Sequence, residues 1–303
     1  MGEITRDGAP SGWEDDHVVD LWGKYVEARG ELVVIVGALA DFLAPHEGRE
    51  APTEARMIAY HQVVKLFVHL QSLLRLAPTV FLQWKRLDIF SSSLLARAVI
   101  DGYANFHYFG VDDVPAPEMD FRVLVWRHHE YRTRLKGVRA VGSTSDEVLE
   151  LAAEADRLRA RVVASDEYEG LSPSGQRVLR RGSDARLLGN AEVMRRADVS
   201  EAFYRGHYVP LSDYVHGFGM AASQLDGLNR NRKPIVPLFK LRLQAATAFA
   251  CRTLVDLAAT LDDLGYRPSP EVLAVCDVWL AMMSLEDFFG GTGDRPPLRW
   301  PVG

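Results

Sequence analysis

Cysteine is nearly absent: two occur in 303 residues, Cys251 and Cys276. That excludes a disulfide framework and a thiolate zinc site. The HExxH, CxxC, P-loop and GxGxxG patterns are missing as well, so neither a metal nor a nucleotide cofactor is expected. Long apolar runs are also lacking. The best, Leu32 to Ala40, is nine residues between Glu31 and Asp41, too short for a bilayer about 30 Å thick. The first twenty residues are acidic and polar, with neither the basic start nor the apolar stretch of a secretory signal. Arg6 stands where a myristoylation signal would have Ser or Thr. A cytoplasmic protein with reduced thiols and no membrane partner is the expectation. Alternating strand-type patterns bounded by turns are scarce, which leaves helices.

What is present is an ordinary globular composition, 48% hydrophobic and 25% charged with a formal net charge of −6. Helical punctuation recurs along it. A first helix is expected over 13–44, ending before Pro45. Thr53 then caps a helix in which Ile58, Val63, Val64, Phe67, Leu70 and Leu74 recur at spacings of three to five, to about Leu76. Further helices are expected over 80–109, 117–137 and from Ser145 to about Val163. The Gly-, Ser- and Arg-rich stretch 166–187 reads as a long excursion. A short helix near 189–197 follows. Ser200 caps another, which Pro210 kinks or restarts as a helix running to about 228. Segments 236–263 and 269–287 close the set. The fold class is therefore all-α, an irregular multi-helix bundle of about eight or nine helices. Residues 1–50 read as an N-terminal helical extension, 51–287 as the main domain and 288–303 as an extended tail.

Charge is unevenly spread. Residues 122–139, 177–197 and 227–242 hold 17 of the 35 Lys and Arg but only 3 of the 41 Asp and Glu. If these stretches meet, they form a basic face on an acidic body, suited to RNA or another phosphate ligand. The alternative is solvated helix faces whose cations pair with acidic neighbours.

Two constellations could carry chemistry. In the third helix, Arg97, Asp101 and Asn105 follow at intervals of four among Leu94, Leu95, Val99, Ile100 and Phe106. A buried cation and anion must satisfy each other or a ligand. Later, Tyr204, Tyr208, Ser212 and His216 recur every four positions and form a polar-aromatic row. A neutral histidine there could be a general base for a hydroxyl, including a ribose 2′-OH. Ser212 lies within a helix pattern and not on a strand-to-helix elbow, so a Ser-nucleophile hydrolase is the weakest reading. Among the other histidines, His61 and His69 are separated on their helix by Lys65. His128, His129 and Glu130 are consecutive and point apart, so neither group makes a helical metal face.

The segment Leu94-Leu95-Ala96-Arg97 with Asp101, Asn105 and Tyr108, followed by Phe203-Tyr204, Tyr208, Leu211-Ser212 and Val215-His216-Gly217, resembles the bacterial helical family labelled domain of unknown function 5677. The likeness spans roughly residues 55–260, with Asp101 standing where a Glu is expected. That family is in turn distantly similar to the HEPN group, some of whose members are metal-independent RNases with an Arg and a His separated by four to six residues. Arg56…His61 and Arg122…His128/His129 have that spacing. The resemblance implies an all-helical domain. Joined to the residues, it suggests an RNase with His216 as acid and base and Arg97 on phosphate. Ser212 and Asp101 would support them, and Tyr208, Tyr204 and Asn105 would line the site. The alternative is a non-catalytic helical module for a partner protein or a small acidic ligand, with the same side chains as a packing lock. A homodimer through apolar helix faces fits either.

Overall fold

The computed structural model describes residues 16–80, 87–142, 145–216, 223, 235–260 and 265–285. Among them are eleven α-helices and no strand, so the all-α class holds and the helix number exceeds the eight or nine expected. They are α1 (Asp16–Leu43), α2 (Glu54–Leu76), α3 (Ile89–Phe106), α4 (Ala116–Ala140), α5 (Asp146–Val163), α6 (Asp166–Glu169), α7 (Pro173–Arg181), α8 (Asn190–Arg196), α9 (Glu201–His216), α10 (Ile235–Thr260) and α11 (Pro270–Met283). Two of the additional helices, α6 and α7, lie inside the stretch read as an excursion. Side-chain caps start both: Ser165 Oγ accepts from the Tyr168 amide and Ser172 Oγ from the Gly175 amide. Their few apolar residues, Tyr168 and Leu179, are buried against Phe121, Val125 and Val162. Tertiary packing supplied what a short, weakly periodic sequence could not signal.

The remaining boundaries follow from local chemistry. Thr53 Oγ1 accepts from the Arg56 amide to open α2. The third helix begins at Ile89, where Asp88 Oδ1 accepts from the Phe90 and Ser91 amides at 3.0 Å each. It ends in a π-turn over His107–Val111. Here Gly110 presses on α2, since a Cβ on it would stand 2.9 Å from Ala59 Cβ. Pro210 lies inside α9, which continues through it to His216. The expected continuation to about 228, the basic residues 227–234 and the tail lie outside the described residues, Ser223 aside.

Helix α3 runs through the core, flanked by α2, α9 and α10. Ala96, Val99, Ile100, Tyr103, Ala104 and Phe106 are fully buried, and α10 contributes Phe239, Leu243, Phe249 and Leu254. Burying each large apolar side chain stabilises by about 1.5–3 kcal/mol. The segment read as an N-terminal extension supplies Tyr25, Leu32, Ile35 and Leu39 to this same core. It is also tied to α11 by Trp279 Nε1, which donates to Glu31. Helices α4, α5 and α7 form an outer layer with its own small clusters. Among the described residues no helix is long and apolar enough to cross a membrane.

Candidate functional site

The contact between α3 and α9 brings together residues more than a hundred positions apart. Arg97 and Asp101 lie one turn apart on α3, with Arg97 Nε 3.6 Å from Asp101 Oδ2. Arg97 Nη2 donates to Tyr208 Oη at 3.1 Å, and Arg97 Nη1 is 3.2 Å from His216 Nε2. A guanidinium can only donate, so Nε2 is the acceptor and a neutral His216 carries its proton on Nδ1. The guanidinium carbon is 5.0 Å from the centre of the Tyr208 ring, a cation–π contact. Tyr208 Oη donates to Asp101 Oδ1 at 3.2 Å. Tyr204 stacks on Tyr208 with ring centres 5.0 Å apart.

The structure adds two residues that the sequence pattern does not identify. Asn190, the first residue of α8, donates from Nδ2 to Asp101 Oδ1 at 2.7 Å and to Tyr208 Oη at 3.2 Å. Arg186 donates to Asn190 Oδ1. Neither stands at a periodic position. The only local hint is a polar residue opening a helix after Gly189, and nothing ties it to a carboxylate 89 positions earlier.

Two expected members stand elsewhere. Asn105 Nδ2 donates to Gln62 Oε1 at 3.2 Å in the α2–α3 contact. One turn beyond Asp101, the face has rotated from α9 toward α2. Ser212 Oγ donates to the Tyr208 carbonyl at 2.9 Å. In a helix that bond to the preceding turn is always within reach, and it commits the hydroxyl proton.

The cluster opens to solvent. The Arg97 side chain retains 19% of its exposure and Asp101 40%, and His216 is exposed at the end of α9. Burial, and then the Asp101 charge, raises the Tyr208 phenol above its ordinary range. Burial, and then Tyr208, does the same for Tyr204. Both are therefore protonated donors at neutral pH. Burial lowers the Arg186 guanidinium from its usual value, opposed first by the Asp101 charge. Arg97 and Arg186 set two guanidiniums against the one carboxylate of Asp101 in the hydrogen-bonded network, a net positive charge that suits an anion.

Of the pairs with Arg–His spacing, Arg122 and His128 are both buried, while Arg56 and His61 line an open cleft of about 770 Å³ with Glu50, Glu54 and Arg127. Among the described residues no three His, Cys, Asp or Glu side chains gather as metal ligands. No protein-family model, no curated protein and no solved structure matches the chain.

Proposed function

We propose that the protein is a metal-independent ribonuclease of HEPN-like type, allied to the domain of unknown function 5677 family, with its centre at Arg97, Tyr208 and His216. The approach of Arg97 Nη1 to His216 Nε2, 3.2 Å apart across 119 positions of chain, carries this reading. It joins a cation and a base at an exposed edge.

The chemistry needs those two groups. His216 Nε2 takes the proton of a ribose 2′-OH, the 2′-oxygen bonds to phosphorus, and the P–O5′ bond breaks. Arg97 balances the charge on the non-bridging oxygens, and Tyr208 gives the departing 5′-oxygen the proton it otherwise donates to Asp101, regaining one from the His216 imidazolium. The products are a 2′,3′-cyclic phosphate and a 5′-hydroxyl. At rest the guanidinium occupies the Nε2 lone pair. A phosphate is the better acceptor, so its arrival draws Arg97 away and frees the base.

A second reading has one observation in its favour: each edge of the Arg97 guanidinium faces a protein partner. In that case the cluster is a packing lock in a non-catalytic module for a partner protein or acidic ligand. Incubation of the protein with labelled RNA in a chelator separates the two. Cleavage to cyclic-phosphate ends, lowered about 10²–10⁴-fold by His216→Ala with an unchanged melting temperature, supports the ribonuclease. No cleavage by the wild-type chain, with His216→Ala destabilising by about 1 kcal/mol, supports the lock.

A further inference from the structure

We infer that the cleft between α4 and the C-terminal end of α7 is a separate seat for the sugar–phosphate backbone of RNA; the choice of RNA rests on the ribonuclease reading, the site itself does not. The sequence builds it in two parts. Arg132, Lys136 and Arg139 follow at i, i+4 and i+7 and make one stripe of α4. Arg181, in the last turn of α7, is brought against that stripe by the turn that ends the helix. Gly182 adopts a left-handed φ of 64° there, and the Ser183 amide donates back to the Val178 carbonyl at 3.2 Å. A side chain at this position is excluded twice. The φ disfavours it, and a Cβ would stand 2.7 Å from Arg132 Cγ. His129 Nδ1 lies 3.1 Å from the Gly182 carbonyl oxygen, which pins the turn to α4.

The result is an open cleft of about 530 Å³, lined by Arg132, Lys136, Arg139, Arg181 and His129 among others, with no Asp or Glu in its lining among the described residues. Elsewhere several cations of the same basic stretches pair with carboxylates. Arg122 pairs with Asp112 and Glu118, Arg127 with Glu54 and Glu130, Arg134 with Glu130, and Arg195 and Arg196 with Glu192. Arg242, from the third stretch, is buried and donates to Ser93 Oγ. The four cleft cations alone combine convergence with the lack of a carboxylate within ion-pair distance among the described residues. Like charges held on one face repel, and a polyanion turns that cost into binding. Phenylalanine, tyrosine and tryptophan are missing from the lining, so the cleft offers no large aromatic platform for base stacking. Recognition falls on phosphates, without sequence preference.

The test is fluorescence anisotropy of a short labelled single-stranded RNA, titrated at several salt concentrations against the His216→Ala protein so that the RNA stays intact. Four neutralised phosphates give a slope of log affinity on log salt of roughly −3. Changing Arg132, Lys136, Arg139 and Arg181 together to Gln should weaken binding at least about tenfold at low salt and flatten that slope. If the fourfold variant does not fold, Lys136→Gln with Arg139→Gln, both exposed, should remove about half of the slope. RNA affinity and slope unmoved by either variant would overturn the inference. So would polyglutamate binding at the cleft with no RNA binding, which would point to an acidic protein partner. Cleft-dependent RNA binding by a wild-type chain that never cleaves RNA would sink the ribonuclease reading and leave the cleft standing.

Discussion

Of the arginines that stack on a tyrosine, Arg122 and Arg97 have opposite surroundings. Arg122 stands 4.1 Å from the Tyr108 ring centre, with its side chain fully buried. It donates to the Tyr108 carbonyl at 2.8 Å, and to Asp112 and Glu118 at 2.7 Å each. Tyr108 in turn accepts from the Leu187 amide, so this network pins the π-turn after α3 to α4 and to the chain before α8. Arg97 has a similar ring contact, but one of its partners is an imidazole at an exposed helix end. Arg122 is itself fully buried and held by two carboxylates, whereas Arg97 keeps solvent access and one partner without a carboxylate. Partner charge and solvent access, more than residue type, separate a structural pin from a candidate site.

The largest expected effect tests that distinction. Arg122→Leu removes the buried partner of Asp112 and Glu118, of which Asp112 keeps Arg196 at 2.9 Å, and should cost about 3 kcal/mol of unfolding free energy. Arg97→Met, at the open cluster, should cost about 1 kcal/mol. Urea unfolding of both variants measures the contrast, and equal losses would erase it.

A second contrast lies along α9. His207 is buried, and its pKa is held down to about 4 by burial first and the Arg242 charge second, whereas His216 is exposed. An unfolded histidine titrates near 6.5. Between about pH 6.5 and 4 the unfolded chain therefore binds a proton that the folded chain refuses. His207 burial thus carries no proton-linked cost above that window, and stability falls as the pH drops through it, by about 3 kcal/mol in all. Unfolding free energies measured across the window should lose this slope in His207→Phe and retain it in His216→Ala.

Legibility in the sequence followed the same division. The all-helical class, the caps at Thr53 and Ser200, and the face shared by Arg97 and Asp101 are local features, carried by spacing and by residues with one dominant role. The π-turn, α6 and α7 were hidden, because burial against distant side chains stabilises them. The Arg122…His128 spacing matched a catalytic motif, yet the structure puts both residues in the interior. Asn190 was invisible for the same reason that Tyr208 was conspicuous. One acts alone across the fold, while the other belongs to a row repeated every four residues.

That row overreached at Ser212, which yields the smallest expected effect. Its hydroxyl donates one turn back along its own helix and makes no hydrogen bond to Arg97 or His216 among the described residues. A side chain of this kind contributes little to a helix, and sometimes destabilises it slightly. Ser212→Ala should therefore change unfolding free energy by less than about 0.5 kcal/mol and leave any RNA cleavage at the wild-type rate. Tyr208→Phe, one turn earlier, removes a hydroxyl bonded to Arg97, Asn190 and Asp101. It should cost about 1 kcal/mol and most of the cleavage rate. If Ser212→Ala instead matched Tyr208→Phe in lost rate, the reacting groups would have to be reassigned along α9, with the serine hydroxyl turned from its carbonyl partner toward His216.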